Sequence, residues 1–278
     1  MRKITQYDPA EVPLLADVVD CFSGNDRTLL DGHLTNFEAA CDDFVLAVPD
    51  VHARRPIIAD KATRENLSKM WERKPAQAAR LFAAMKDSLP KEDRSLCPFC
   101  NLSEDPELDH YLPKGEYPEF SLFSRNLVPI CGVCNKHKGV VVRSSAGDRV
   151  ILFPPYDLTV EGVFLTMSIQ YGASALASKY EISAHTGLTA HVLGILKRHF
   201  ARLQLARRFE ARANAQLAML VRTVRGWEVD VARSAIDSWC KPNPFELAPN
   251  SWEPVLKAHI RAELEPVIAW LTARRLLS

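Results

Sequence analysis

Cys97-x-x-Cys100 and Cys131-x-x-Cys134 are two cysteine pairs with the same two-residue gap. That gap lets both sulfurs of a pair turn toward one ion, and two such pairs supply the four ligands of a tetrahedral zinc. The 30 residues between the pairs exceed the span of a simple zinc ribbon, so the intervening segment must itself fold, clamped at both ends. A disulfide or a thioredoxin-like redox pair is the competing reading of each Cys-x-x-Cys. Seven cysteines is an odd number, with Cys21, Cys41 and Cys240 scattered among apolar neighbours, and that usage suits a reduced compartment with one structural zinc. Four thiolates close the coordination shell, so any reaction must be carried by other residues.

Those residues lie between and beside the pairs. "ELDHYLPK" offers Asp109 and His110, "SRNLVPIC" offers Asn126, and "CGVCNKHKG" offers Asn135, His137 and Lys138. Each has a bland explanation when taken singly. An Asp-His pair is often a solvated turn, an Asn before a strand often caps one, and a lysine is most often a solvated charge. Their order is the stronger signal: His, then Asn, then a second Asn directly after Cys-x-x-Cys, with a Lys three residues on.

That order resembles the HNH endonucleases in their zinc-clamped form, on the core pattern "DH..P…NL..LC..CN..K" between Cys97 and Gly139. The resemblance implies a ββα-metal module, with Asp109 and His110 on the first strand, Asn126 opening the second and Asn135 on the helix. It puts the family's base on His110 and its middle asparagine on Asn126. Its third position falls on Asn135 in place of a histidine, a departure also found within the family. An amide oxygen there, with the Asp109 carboxylate, makes a hard oxygen site suited to Mg²⁺ or Mn²⁺.

The chemistry can also be argued from the residues. Hydrolysing a phosphodiester needs a nucleophilic water, which an imidazole can generate, and a neutralised transition state, which a divalent ion can supply. His110 is the candidate base, and Asp109 with Asn135 the candidate metal ligands. Adjacent strand residues point to opposite faces, so Asp109 and His110 share a site only if metal and water flank a phosphate held across the strand. The resemblance implies that arrangement. Asn126 is expected to hold the loop that orients His110. His137 falls about 200° around a helix from Asn135, whereas Lys138 is nearer its face and is the candidate phosphate contact.

The elements that must position these groups are mostly helical. Residues 8–88 carry helical spacing, with Asp8-Pro9 as a start signal and Pro75 as a break after Leu67, Met70 and Trp71 and before Leu81, Phe82 and Met85. Residues 89–150 are rich in turn formers and cysteines. Beyond them, "GVFLTMSIQYG" and "KYEISAH" alternate like the strands of a hairpin. "GLTAHVLGILKRHFARLQLARRFEARANAQLAMLVRTV" reads as one long helix, and "SWEPVLKAHIRAELEPVIAWLTARR" as a terminal helix or broken pair, with Pro254 in a first turn and Pro266 as a kink. The expected fold is mainly α with an embedded ββα-metal module (α+β). Its expected divisions are an N-terminal helical region, 1–90, the nuclease module with its four-cysteine zinc site, 91–150, and a hairpin plus C-terminal helices, 151–278.

A net charge of +1 over 278 residues names no partner by itself. Charge is uneven, however: Lys197 to Arg225 holds eight Lys or Arg against one acid, Glu210. Arg202, Arg208 and Arg212 there are candidate contacts to a DNA backbone, and a solvated face above the apolar stripe of Leu196, Phe200 and Leu203 is the alternative. No apolar run reaches membrane-spanning length and no secretory h-region opens the chain, so a cytoplasmic location and no membrane partner are expected. "LDHYLPKGEYPEFSLFSRNLVPICGVCNKHKG" also resembles HNH nucleases encoded beside ATPases in bacterial anti-phage systems of the Septu and retron-associated kind. That resemblance implies a DNA-cleaving defence effector with a companion ATPase. A zinc-organised binding module without catalysis and an RNA-directed nuclease are the other readings.

Overall fold

A computed structural model of the chain describes residues 7, 10, 12–104, 106–157, 163–184, 187–242 and 250–278. The fold is mainly helical with two small antiparallel sheets, as expected. Contacts divide it into two compact units, within residues 3–159 and within residues 160–278. No helix among the described residues is long and apolar enough to cross a membrane.

The first unit runs α1 (Leu15–Val19), α2 (Gly24–Asp31), α3 (Leu34–Ala47), α4 (Lys61–Ser68), α5 (Ala76–Asp87), α6 (Lys91–Ser95), β1 (Glu107–His110), β2 (Leu127–Ile130) and α7 (Gly132–Lys138). The start signal at Asp8-Pro9 lies outside the described residues. Pro75 does separate two helices, standing as the N-cap of α5 in extended conformation. Helix α3 buries Phe37, Ala40, Cys41 and Phe44, the spacing of a single helical face. Phe44 meets the rings of Phe120, Phe123 and Phe153 at centroid distances of 5.1, 5.3 and 6.1 Å. Each such pair contributes about 0.5–1.5 kcal/mol beyond its buried area. The N-terminal helices and the cysteine-rich segment differ in sequence texture, yet they share this core. Polar ties run the same way: Ser124 Oγ donates to the Pro13 carbonyl at 2.8 Å, and the Ile57 N–H donates to Glu119 at 3.1 Å.

β1 and β2 are only four residues each, paired Glu107 to Ile130 through His110 to Leu127. A two-stranded ribbon this short is not independently stable. It depends on the aromatic core on one side and on whatever fastens its open end.

The second unit runs β3 (Leu165–Tyr171), β4 (Leu176–Ile182), α8 (Ala190–Arg202), α9 (Leu205–Thr223), α10 (Val229–Trp239), α11 (Trp252–Ala262) and α12 (Leu264–Ala273). The expected hairpin is β3–β4, closed by a Gly172 N–H bond to the Ala175 carbonyl. A Cβ at Gly172 would sit 2.8 Å from that oxygen, so only glycine fits. β4 alternates buried and outward residues, and α9 covers its free edge. Asn214 accepts from the Ser178 N–H at 2.7 Å, and Glu210, the lone acid of the basic stretch, accepts from the Tyr180 N–H at 3.2 Å.

The single long helix expected across 187–224 is two helices. Gln204 takes a left-handed conformation between α8 and α9. Leu203 and Leu205 are both wholly buried, and two residues apart on a continuous helix point about 200° from one another. Turning the chain at Gln204 buries both. The C-terminal segment is likewise a pair, broken at Glu263. Pro254 lies in the first turn of α11 as expected. Pro266 falls in the first turn of α12, where its missing N–H costs no helical bond, so it helps start a helix and does not kink one.

Candidate active site

The four cysteines converge. Their sulfurs all lie within 4.8 Å of one another and all four residues are buried. Cys100 and Cys131 Sγ are 3.9 Å apart. A tetrahedral zinc with Zn–S bonds of about 2.3 Å requires sulfurs about 3.8 Å apart, so the quartet could coordinate zinc as it stands.

Local backbone makes each half. The Leu96–Glu104 bridge closes a tight loop in which the Asn101 N–H donates to the Cys97 carbonyl at 2.8 Å. Asn101 takes a positive φ of 51°, a conformation asparagine tolerates. On the other side Cys131 caps α7, with its Sγ accepting from the Cys134 N–H at 3.4 Å. The Cys131 N–H in turn donates to Cys97 Sγ at 3.3 Å, linking the halves. Hydrogen bonding within the quartet pushes the Cys131 and Cys100 thiols down and the Cys97 and Cys134 thiols up, so the four titrate as one group. The clamp thereby fastens the open end of the β1–β2 ribbon to α7.

His110 ends β1 and is 2% exposed. Its Nε2 lies 2.8 Å from the Ser121 carbonyl. A carbonyl can only accept, so this contact places the proton on Nε2 and leaves the lone pair on Nδ1. Nδ1 has no hydrogen-bond partner among the described residues. The nearest Asp109 oxygen, Oδ1, is 3.8 Å from it. Strand alternation would separate these neighbours; at the end of β1 their side chains nevertheless converge. Burial opposes the Asp109 charge, but His110 and Lys138 beside it prevail and hold the carboxyl below its ordinary range.

Asn126 is fully buried and satisfied. Its Oδ1 accepts from the Leu112 N–H at 2.8 Å, and its Nδ2 donates to the Leu112 and Phe120 carbonyls at 3.0 and 3.2 Å. The residue therefore ties both ends of the 111–126 loop that carries Ser121, which sets the His110 ring. Asn126→Ala should strand the Leu112 and Phe120 groups, at roughly 1–3 kcal/mol for each one left buried without a partner. Chemical denaturation should show the loss; an unchanged midpoint would remove the bracing role.

Asn135 lies on α7, partly exposed, with no side-chain hydrogen bond among the described residues, so its amide is free to act as a ligand. Lys138 does not occupy the expected phosphate-facing position. It is 1% exposed, and its ammonium donates to the His110 carbonyl at 2.6 Å and sits 3.4 Å from Asp109 Oδ2. Burial pulls it below the usual lysine range and Asp109 partly restores it. It braces α7 against the end of β1. Among the described residues, the cysteine quartet is the one cluster of three or more His, Cys, Asp or Glu arranged to hold a metal. Asp109 and Asn135, the expected ligands of a divalent ion, belong to no such cluster.

Two contributors came from outside the motif. Trp71, read from sequence as a core residue of a helix, stands T-shaped to the His110 ring with centroids 4.8 Å apart. Glu72, the next residue, ion-pairs with Lys114, four residues beyond His110. No sequence signal links residues so far apart. In the basic stretch, Arg202 is the last residue of α8, while Arg208 and Arg212 lie one turn apart on α9. Arg208 donates to the Leu203 carbonyl at 3.3 Å, and Arg212 is exposed.

No protein family and no solved structure matches the chain. Among curated proteins, 80 residues are 31% identical to Protein ea31 of Escherichia phage lambda, over 28% of this chain and 27% of that protein. The likeness therefore spans about a quarter of each.

Proposed function

We propose that the chain is an HNH-type endonuclease that hydrolyses DNA phosphodiesters with Mg²⁺ or Mn²⁺. The observation that carries this reading is the Nε2 bond to the Ser121 carbonyl, which leaves His110 Nδ1 bearing a lone pair beside Asp109. Nδ1 takes the proton of the attacking water, while the Ser121 carbonyl holds the resulting imidazolium by its Nε2–H. The divalent ion would supply charge neutralisation at the phosphoryl group and leaving oxygen. Asn126 fixes the loop and Lys138 fixes Asp109 and the strand end. The test is incubation of purified protein and His110→Ala with duplex DNA, single-stranded DNA and RNA, each with Mg²⁺, Mn²⁺ or EDTA. RNA cleavage alone would move the substrate to RNA.

A second reading, a zinc-organised binding module without catalysis, draws on the near-complete burial of His110. Absence of cleavage under every condition above, with zinc bound and the fold intact, would favour it.

The anti-phage role and its companion ATPase belong to the proposal through the sequence resemblance. If Arg202, Arg208 and Arg212 touch DNA, changing each to Gln should weaken binding about equally for all sequences and lower the salt slope by roughly 0.9 for each phosphate no longer neutralised. If they dock an ATPase, the same changes should leave DNA binding intact and abolish co-purification. Neither effect would return this surface to plain solvation.

A further inference from the structure

A general base must reach water, yet His110 Nδ1 is shut off from solvent. What covers the ring is the turn between α4 and α5. Met70, wholly buried, roots this turn, and Trp71 packs between the His110 ring and Phe82, whose centroid is 5.0 Å away. Lys74 sits 3.8 Å from the indole centroid and donates to the Trp71 carbonyl at 2.8 Å. Glu72 then reaches across to Lys114, closing the turn onto the loop that follows β1. Its side chain is 56% exposed and that of Lys114 27%, so solvent competes for this ion pair and its hold is weak.

We propose that the Glu72–Lys114 pair is a latch opened by substrate: a phosphodiester replaces the Glu72 carboxylate on Lys114, and Trp71 moves off the base. The inference rests on the reading of His110 as that base. A phosphodiester carries the same single negative charge as the carboxylate and presents oxygens to the same ammonium. Glu72 is the one acid among residues 69–74, and Arg73 is already paired with Asp26 at 3.0 Å, so once displaced Glu72 leaves Lys69 and Lys74 to attract a nucleic-acid backbone. Partial burial opposes the Glu72 charge, but Lys114 and His110 hold its carboxyl below the ordinary range, in keeping with its place at the mouth of the site. Lys114 is thereby a phosphate contact next to the base, the role that buried Lys138 cannot fill.

Two surface variants separate this exchange from a merely structural pair. Diethyl pyrocarbonate acylates unprotonated imidazole nitrogen, so mass spectrometry can follow His110 with His137 and His191 as internal references. Glu72→Gln should raise the His110 rate about two- to fivefold, the scale of losing one partly exposed ion pair, and should tighten binding of a duplex DNA in EDTA. Lys114→Gln should expose His110 equally but weaken that binding and lower its salt slope by roughly 0.9. Unchanged His110 modification in both variants would overturn the latch. Equal gains in DNA binding from both would overturn Lys114 as the phosphate contact. If both readouts behave as expected while no variant cleaves nucleic acid with Mg²⁺ or Mn²⁺, the exchange stands and the endonuclease reading fails.

Discussion

Cys131→Ser should lose zinc and unfold residues 97–139. Purified wild-type protein should carry one zinc per chain by elemental analysis, since the four buried sulfurs already lie within 4.8 Å of one another. The effect is large because so little else holds the segment. Its strands are four residues each, and the Cys131 N–H bond to Cys97 Sγ joins the knuckle to the cap of α7. Zinc contributes about 10–16 kcal/mol in zinc-finger peptides, far more than a ribbon of this size could replace. Hydrogen exchange should show lost protection across 97–139. The 160–278 unit has its own core, built on β4 and α9, and should keep its protection. Soluble wild-type protein that is fully protected yet free of zinc would remove the metal clamp from the account.

The second large effect is at the proposed base. His110→Ala should lower cleavage by about 10²–10⁴-fold, the usual contribution of a positioned proton acceptor. Asp109→Ala should cost at least as much, since it removes the proposed carboxylate ligand and also leaves the buried Lys138 ammonium without its counter-charge. Removing the ring empties the space under Trp71 and frees the Ser121 carbonyl, so zinc content and thermal unfolding must be read beside activity. On the proposed reading, chelated wild-type protein should regain cleavage with Mg²⁺ or Mn²⁺, and added Zn²⁺ should not restore it. A His110→Ala protein that cleaves at the wild-type rate would show that another group activates the water.

Much of the site could be read from local spacing, because local spacing is what creates it. A Cys-x-x-Cys turn needs only its own backbone to aim two sulfurs at one point, and the two pairs do meet. The mainly helical class, the 165–182 hairpin and the break at Pro75 also follow from short-range pattern. The exception at Gln204 is instructive. Periodicity through 187–224 supports one helix, but helical spacing cannot bury Leu203 and Leu205 together, and packing decided the break.

Local sequence settles which candidate groups lie near the clamp: four thiols, the His110 imidazole, the Asp109 carboxylate and the Asn126 and Asn135 amides. Their protonation, exposure and partners were decided by tertiary structure. Lys138 reads as a solvated charge or a phosphate contact, and becomes an internal brace because α7 packs against the end of β1. The free nitrogen of His110 follows from one carbonyl, at Ser121, placed by a loop that Asn126 ties from both ends. Trp71 and Glu72 join the site because the α4–α5 turn folds onto β1 and the loop after it, a meeting of residues about forty positions apart. Spacing is a property of neighbours along the chain, whereas burial and long-range pairing arise only when the whole core closes.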